Sequence, residues 1–214
     1  MKRPYVIINC AMSADGKIAS PSGKQIKISC EEDIKRMYKL RNECDAVLVG
    51  INTVLNDNPK LTVKEKYVKN PKQPIRIILD SNCKTPINYL AVNDVSKTMI
   101  ITSRECNKNF GNKVEIIKSK KNKDGLIDLK ELMELCLCRG IKKLMVEGGG
   151  KVIWNFLKSG FVDDIFLYIG PIVIGGENTP SISGIINNSK NIPLKLINAK
   201  KIGPGILLHY ELIK

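Results

Sequence analysis

Apolar and polar positions follow two rhythms along this chain. Short, nearly continuous apolar runs at Tyr5 to Cys10 and Ala46 to Gly50 predict buried strands, and Ile75 to Asp80, Thr98 to Thr102 and the shorter Val114 to Ile117 predict further strands. Between them the spacing changes to threes and fours. Ser29-Cys30-Glu31-Glu32 has a capping-box pattern, with Ser29 as N-cap and Glu32 three positions on. It opens a helix to about Glu43 with Ile34, Met37 and Tyr38 on the apolar stripe. Thr53-Val54-Leu55 starts a short helical turn that Asp57-Asn58-Pro59 stops. Asp128 to Cys136 places Leu129, Leu132, Met133 and Cys136 on one face, and Gly140 ends that helix.

The most informative segment is Lys143 to Trp154. A short apolar strand runs through Gly148-Gly149-Gly150 into a helix whose Val152, Ile153, Phe156 and Leu157 share a face. After it come a strand over Ile165 to Ile169, a hydrophilic, Asn-rich stretch near residues 177–191, and two last strands divided by Gly203-Pro204-Gly205. The alternation at Leu207 to Leu212 puts His209 on a strand, where a partnered histidine is the expectation. Alternating β and α elements ending in an antiparallel hairpin, without repeats or linker-like shifts, predict an α/β domain with a mixed sheet over residues 1–214.

Composition narrows the function classes. A chain of 214 residues with 43% hydrophobic and 26% charged positions is an ordinary globular protein. No apolar run reaches the length of a membrane span, and Met1-Lys2-Arg3-Pro4 leads straight into a strand, so a cytoplasmic protein without a membrane partner is expected. The net charge of +14 raises the question of a polyanion. Its lysines are spread through loops such as Lys118 to Lys123 and Lys64 to Lys69, and the aromatics, 5% of the chain, are not interleaved with them. That pattern reads as solvated surface, so no nucleic-acid partner is expected; a basic nucleic-acid-binding domain is the remote alternative. Seven scattered cysteines without a C-x-x-C pair, and one histidine, predict neither a disulfide framework nor a metal site; most cysteines read as small apolar fillers.

Candidate chemistry gathers where strands end. The start of a helix exposes backbone N–H groups and partial positive charge, and glycines let a phosphate approach them closely. A plain strand-to-helix turn would use the same residues, but Glu147 stands at its mouth. Arg41 continues the apolar stripe of the first helix and is read either as a structural ion pair or as a bidentate phosphate clamp. Thr53 and Asp57 are read either as cap and turn residues or as groups facing a cleft at the end of the Val47–Val49 strand.

Taken together, several segments resemble the riboflavin-biosynthesis reductase family over nearly the whole chain. They are Asn9 to Ala19, Asp45 to Gly50 with Asn52 to Leu55, Asp57 to Thr62, Gln73 to Ser81, Val146 to Gly150, and Tyr168 to Pro171 with Gly175-Gly176. The resemblance implies a dihydrofolate reductase-like fold, a mostly parallel sheet flanked by helices. It implies reduction of the ribosyl group of a ribosylaminopyrimidine 5′-phosphate by NADPH, with NADH as the other nicotinamide cofactor. It puts the cofactor against Ala11, Thr53, Asp57, Ser81 and the run Gly148, Gly149, Gly150, Lys151, Val152, Ile153, Trp154 and Asn155. It puts the substrate against Gln25, Arg41, Leu61, Lys64 and Glu147, with Lys17 nearby. Lys27 replaces an aromatic, and Lys64 an arginine, of some relatives.

The N-terminal zinc deaminase motifs of many bacterial relatives are missing, which points to the stand-alone type acting on the 2,5-diaminopyrimidinone. The deaminated 5-amino-6-ribosylaminouracil 5′-phosphate and a dihydrofolate or pteridine substrate are the alternatives. Lys17, Asp57 and Glu147 are the groups nominated for proton transfer or imine stabilisation. The resemblance also implies a homodimer.

Overall fold

The apolar runs become strands because β-branched residues fit a pleated surface covered on both sides. The computed structural model describes residues 2–93, 95–183 and 191–213; residues 184–190 of the Asn-rich stretch lie outside the described residues. In chain order the elements are β1 (Tyr5–Met12), α1 (Glu31–Glu43), β2 (Ala46–Gly50), α2 (Ile51–Asp57), β3 (Ile75–Leu79), β4 (Thr98–Thr102), β5 (Val114–Lys118), α3 (Leu129–Cys138), β6 (Lys143–Gly148), α4 (Gly150–Lys158), β7 (Asp164–Ile169), β8 (Leu194–Ile202) and β9 (Gly205–Leu212). The strand order is β5-β4-β3-β2 in one part of the chain and β1-β7-β9-β8 in the other. The fold is α/β with a mostly parallel sheet and a C-terminal antiparallel hairpin, as the sequence pattern and the resemblance predict.

Two compact units divide the chain: Met1–Tyr5 with Lys39–Met145, and Val6–Tyr38 with Val146–Lys214. In the first, β2, β3, β4 and β5 pair in parallel, with Gly50 opposite Leu79 and Leu79 opposite Ile101. Val47, Leu48, Val49, Ile77, Ile78, Ile100 and Ile101 are all fully buried. α3 adds Leu132, Met133 and Cys136 to this core, and Asp128 caps it by accepting the N–H groups of Lys130 and Glu131. Such a cap is worth about 1 kcal/mol.

In the second unit β1 and β7 run parallel, β9 is antiparallel to β7, and β8 pairs with β9. α4 buries Ile153 and Phe156. The glycine at 205 is required by space: a Cβ there would strike the Tyr168 hydroxyl and the Ile169 carbonyl.

Three local expectations are corrected. Ser29 is not the N-cap: α1 starts at Glu31, the Ile34 N–H meets the Cys30 carbonyl at 3.0 Å, and the Ser29 hydroxyl donates to Asp33 at 2.6 Å. Thr53 is not a cap either, because α2 follows β2 without a loop and Gly50 is its N-cap. Cys83 and Cys106 form a disulfide, with Cα atoms 5.7 Å apart, where the sequence predicts no disulfide framework and most cysteines as fillers. Their loops leave the adjacent parallel strands β3 and β4, so register brings together residues that spacing alone does not pair. Cys10, Cys44 and Cys136 are buried free thiols, and burial pushes Cys10 and Cys136 up to about 12. Among the described residues no helix is long and apolar enough to cross a membrane.

Candidate functional site

In the first unit the candidate residues sit where parallel strands end. Thr53 and Asp57 are four apart on α2, hence on one flank of that helix, and both are half-buried. Ser81 lies just past β3, whose Leu79 is opposite Gly50 at the start of α2. The beginning of α2 and Ser81 therefore share the carboxyl edge of neighbouring parallel strands, the usual ligand edge of an α/β sheet. Asp80, fully buried, fixes the loop after β3 by accepting both the N–H and the hydroxyl of Thr85 at 2.7 Å. Ser103 donates to the Ser81 carbonyl at 2.9 Å.

α2 ends at Asn58 in the left-handed conformation (φ 42), its N–H returned to the Val54 carbonyl. Leu61 is also left-handed (φ 54), although it is only 2% exposed. A β-carbon-bearing residue holds that conformation at a cost of roughly 1–3 kcal/mol, so its surroundings must enforce it. Thr62 and Val63 are buried and Lys64 is exposed. Arg41, 8% exposed, donates through Nη1 to the Thr62 carbonyl at 2.7 Å, so it serves the backbone beside Leu61.

In the second unit β6 delivers Glu147 and Gly148 directly to α4. Gly148 has φ +125, which an L side chain rarely adopts, and the Gly148–Gly149 peptide is cis. Gly149 is the N-cap and has no side chain to satisfy the first turn; its carbonyl accepts Val152 N–H at 2.9 Å and Ile153 N–H at 3.1 Å. An uncapped, side-chain-free helix start suits an anion. Lys151 is exposed, and Val152, Trp154 and Asn155 are half-buried. Ile153 is fully buried, packed into the core of its unit.

Glu147 is half-buried. Burial first, then the Asp33 and Glu147 carboxylates, keep the Cys10 thiol protonated, which rules it out as a nucleophile at neutral pH. Ala11 follows Cys10 on β1, opposite Tyr168. Lys17 belongs to a stitched turn: its N–H meets Ser13 Oγ at 2.9 Å, and it bridges Ser181. Asp15 ties this turn to the segment after β7 by accepting the N–H groups of Ile174 (3.1 Å) and Gly175 (2.7 Å). The Ser13 hydroxyl, at 2.5 Å, and then those amides pull the Asp15 carboxyl down to about 2. Gln25 is exposed on the loop before α1.

Sequence reasoning passed over several organising residues. In the sequence Asp15 and Gln73 are only members of segments that carry the resemblance, Asn58 is part of a helix stop, and Arg76 lies within an apolar run. Asp33 and Arg36 sat inside a helix without comment, yet Arg36 pairs with Asp33 at 2.7 Å and donates to Asn9 Oδ1 at 2.7 Å. The one signal was Arg76, a charge within an otherwise apolar strand. His209 does have its partner: Nε2 lies 2.8 Å from Asp164, and the ring stacks on Phe166 at 4.4 Å. Among the described residues no group of three or more His, Cys, Asp or Glu side chains is arranged to hold a metal ion.

The chain is 40% identical over 188 residues to the 2,5-diamino-6-ribosylamino-4(3H)-pyrimidinone 5′-phosphate reductase of Archaeoglobus fulgidus, covering 84% of this chain and 86% of that one. It is 36% identical over 215 residues to the protein of the same name from Methanothermobacter thermautotrophicus, with coverage of 97% and 98%. A solved structure of a diaminohydroxyphosphoribosylaminopyrimidine deaminase/5-amino-6-(5-phosphoribosylamino)uracil reductase from Thermotoga maritima matches with a TM-score of 0.84 at 26% identity, over 99% of this chain and 57% of that one. The family model described as the RibD C-terminal domain matches residues 4–208, and the chain belongs to that family.

Proposed function

We propose that this protein is an NADPH-dependent reductase converting 2,5-diamino-6-ribosylamino-4(3H)-pyrimidinone 5′-phosphate to its ribitylamino product, in the cytoplasm and in riboflavin biosynthesis. The observation that carries the reading is the strand-end carboxylate Glu147 followed by a glycine-only entry to an uncapped helix. The relatives named for this reaction supply the substrate class.

The residues fit a dinucleotide. Gly148 to Gly150 place no Cβ between a diphosphate and the first turn of α4, and Lys151 adds positive charge. Thr53, Asp57, Ser81 and Ala11, with the flank of α4 to Asn155, are assigned to the remainder of the cofactor. Bound NADPH supplies a hydride for C1′ of the ring-opened ribosylamine. The protein has to bind, orient, exclude water and manage protons. Lys64 and Arg41 are assigned to the 5′-phosphate side, Leu61 to an apolar contact and Gln25 to a polar one. Glu147 offers negative charge to the cationic imine nitrogen, and Lys17 and Asp57 are the further candidates for carrying a proton. A homodimer is part of the proposal. The edge strand β8 leaves Leu196 53% and Ile197 41% exposed among its lysines, apolar side chains that a second copy would cover.

NADPH oxidation followed with the diamino and the deaminated substrates side by side tests this reading. Faster turnover of the diamino compound is expected. Turnover of the deaminated compound alone moves the enzyme one step later, and turnover of dihydrofolate alone replaces the reading. Tight RNA binding that survives moderate salt, without NADPH binding, would overturn it.

A further inference from the structure

We infer that Arg76, Gln73 and Arg41 form a positioning clamp that fixes the backbone from Asn58 to Val63 so that Lys64 is held ready for the substrate phosphate. The inference rests on the reading of Lys64 given above. Arg76 stands on β3 between its register partners Val47 and Thr98 and is fully buried. A guanidinium in that position is very costly unless its N–H groups are answered. Those of Nη1 and Nη2 are answered, largely by loop backbone. Nη1 reaches Asn93 Oδ1 at 2.7 Å, the Leu90 carbonyl at 3.0 Å and, more weakly, the Lys60 carbonyl at 3.5 Å. Nη2 reaches the carbonyls of Asn93 at 2.5 Å and Ser96 at 2.6 Å. The Leu90 N–H in turn donates to Asn58 Oδ1 at 2.7 Å. Arg76 therefore holds the segment directly at Lys60 and, through Leu90, at Asn58.

Gln73 acts three residues earlier. Its amide imitates a strand partner for Val63, accepting the Val63 N–H and donating to the Val63 carbonyl, both at 2.9 Å. Arg41 adds the Thr62 carbonyl from α1. Asn58, Lys60, Thr62 and Val63 are thus each tied through a side chain. The residue enclosed by those ties is Leu61, left-handed and buried; the residue that emerges from them is Lys64. A merely stabilising network would need neither the left-handed leucine nor four separate ties within six residues. A lysine at 76 keeps the charge but cannot spread its donors over Lys60, Leu90, Asn93 and Ser96.

The test compares the 5′-phosphorylated substrate with its dephosphorylated counterpart in Gln73→Leu, Arg76→Lys, Lys64→Met and the Gln73→Leu/Lys64→Met pair, with NADPH affinity and melting temperature for each. Gln73→Leu should raise KM for the phosphorylated substrate about fivefold, hold kcat and NADPH affinity within about twofold, and reduce the kcat/KM preference for the phosphate by the same factor as KM. Arg76→Lys should do the same more strongly. In the Lys64→Met background, adding Gln73→Leu should change that preference by less than about twofold, because its effect travels through Lys64. The clamp is overturned if Gln73→Leu lowers only the melting temperature, weakens both substrates equally, or keeps its effect after Lys64 is gone. Should Arg76→Lys fail to fold, Gln73→Leu decides alone. If Lys64→Met itself leaves the phosphate preference intact, the reading of Lys64 falls and takes the clamp with it. If Lys64→Met abolishes the preference and Gln73→Leu does not alter it, only the clamp falls.

Discussion

The glycine turn at residues 148–150 and the segment from Asp57 to Lys64 are shaped by opposite means. In the turn the backbone is the working surface: Gly148 takes φ +125, and no side chain caps the helix that follows. In the segment the backbone is held from outside, with Thr62 bound by Arg41 and Val63 by Gln73. A surface made of backbone restricts which residues can stand in it, and that restriction is visible in the letters themselves. A surface held by distant side chains leaves its own letters nearly free, and it shows only when the chain is folded.

The comparison can be broken first at its catalytic end. Glu147→Gln keeps the shape of the strand end but removes its charge, so kcat should fall by roughly 10²-fold or more with NADPH affinity nearly unchanged. Wild-type turnover across pH would make Glu147 a turn residue and pass its role to Asp57 or Lys17. Next comes the glycine turn. Gly149→Val puts a branched side chain where a diphosphate should lie, and NADPH affinity should drop at least about tenfold while the melting temperature is largely kept. A folded variant that binds NADPH normally would show that the turn serves the fold alone.

A smaller effect is expected at the side-chain-held segment. Arg41→Lys keeps a charge but loses the planar guanidinium whose Nη1 donates to the Thr62 carbonyl, and substrate KM should rise by about three- to tenfold with NADPH affinity unchanged. A loss of melting temperature without any change in KM would assign Arg41 to structure alone. The smallest effect is at Asp15, whose carboxyl is lowered from 3.8 to about 2 by Ser13 and the amides of Ile174 and Gly175. A depressed folded value stabilises above the unfolded value and is lost as pH falls through the folded one. Wild type should therefore melt slightly above Asp15→Asn from neutral pH down to about 4, and the difference should close towards pH 2. A difference that stays constant over that acid range would mean the carboxylate's charge does not matter there.

What was legible follows the same division. Strands β2, β3 and β4 lie where the apolar runs put them, within a residue at each end, because two-sided burial leaves no room for polar residues. The start of α1 lies one position later than the capping-box pattern predicts. Ser29 and Glu32 have capping-box spacing, but the Ser29 hydroxyl has a better acceptor in the Asp33 carboxylate, whose partner Arg36 also binds Asn9 of β1. Local pattern lost there to a contact made across 27 positions of chain. The Cys83–Cys106 pair was missed for a similar reason, since only the β3–β4 register brings those two loops together.

By itself, then, the sequence determined the order of strands and helices, the hairpin at Gly203 to Gly205, and the glycine entry to α4. Each depends on periodicity, on φ, or on the room beside one residue, which are local quantities. The tertiary structure decided that Arg41 faces the Thr62 carbonyl, that Arg76 gathers Lys60, Leu90, Asn93 and Ser96, and that Leu61 is left-handed. A buried guanidinium must find acceptors wherever the fold supplies them, and which carbonyls lie within hydrogen-bonding reach is a property of packing that no spacing along the chain encodes.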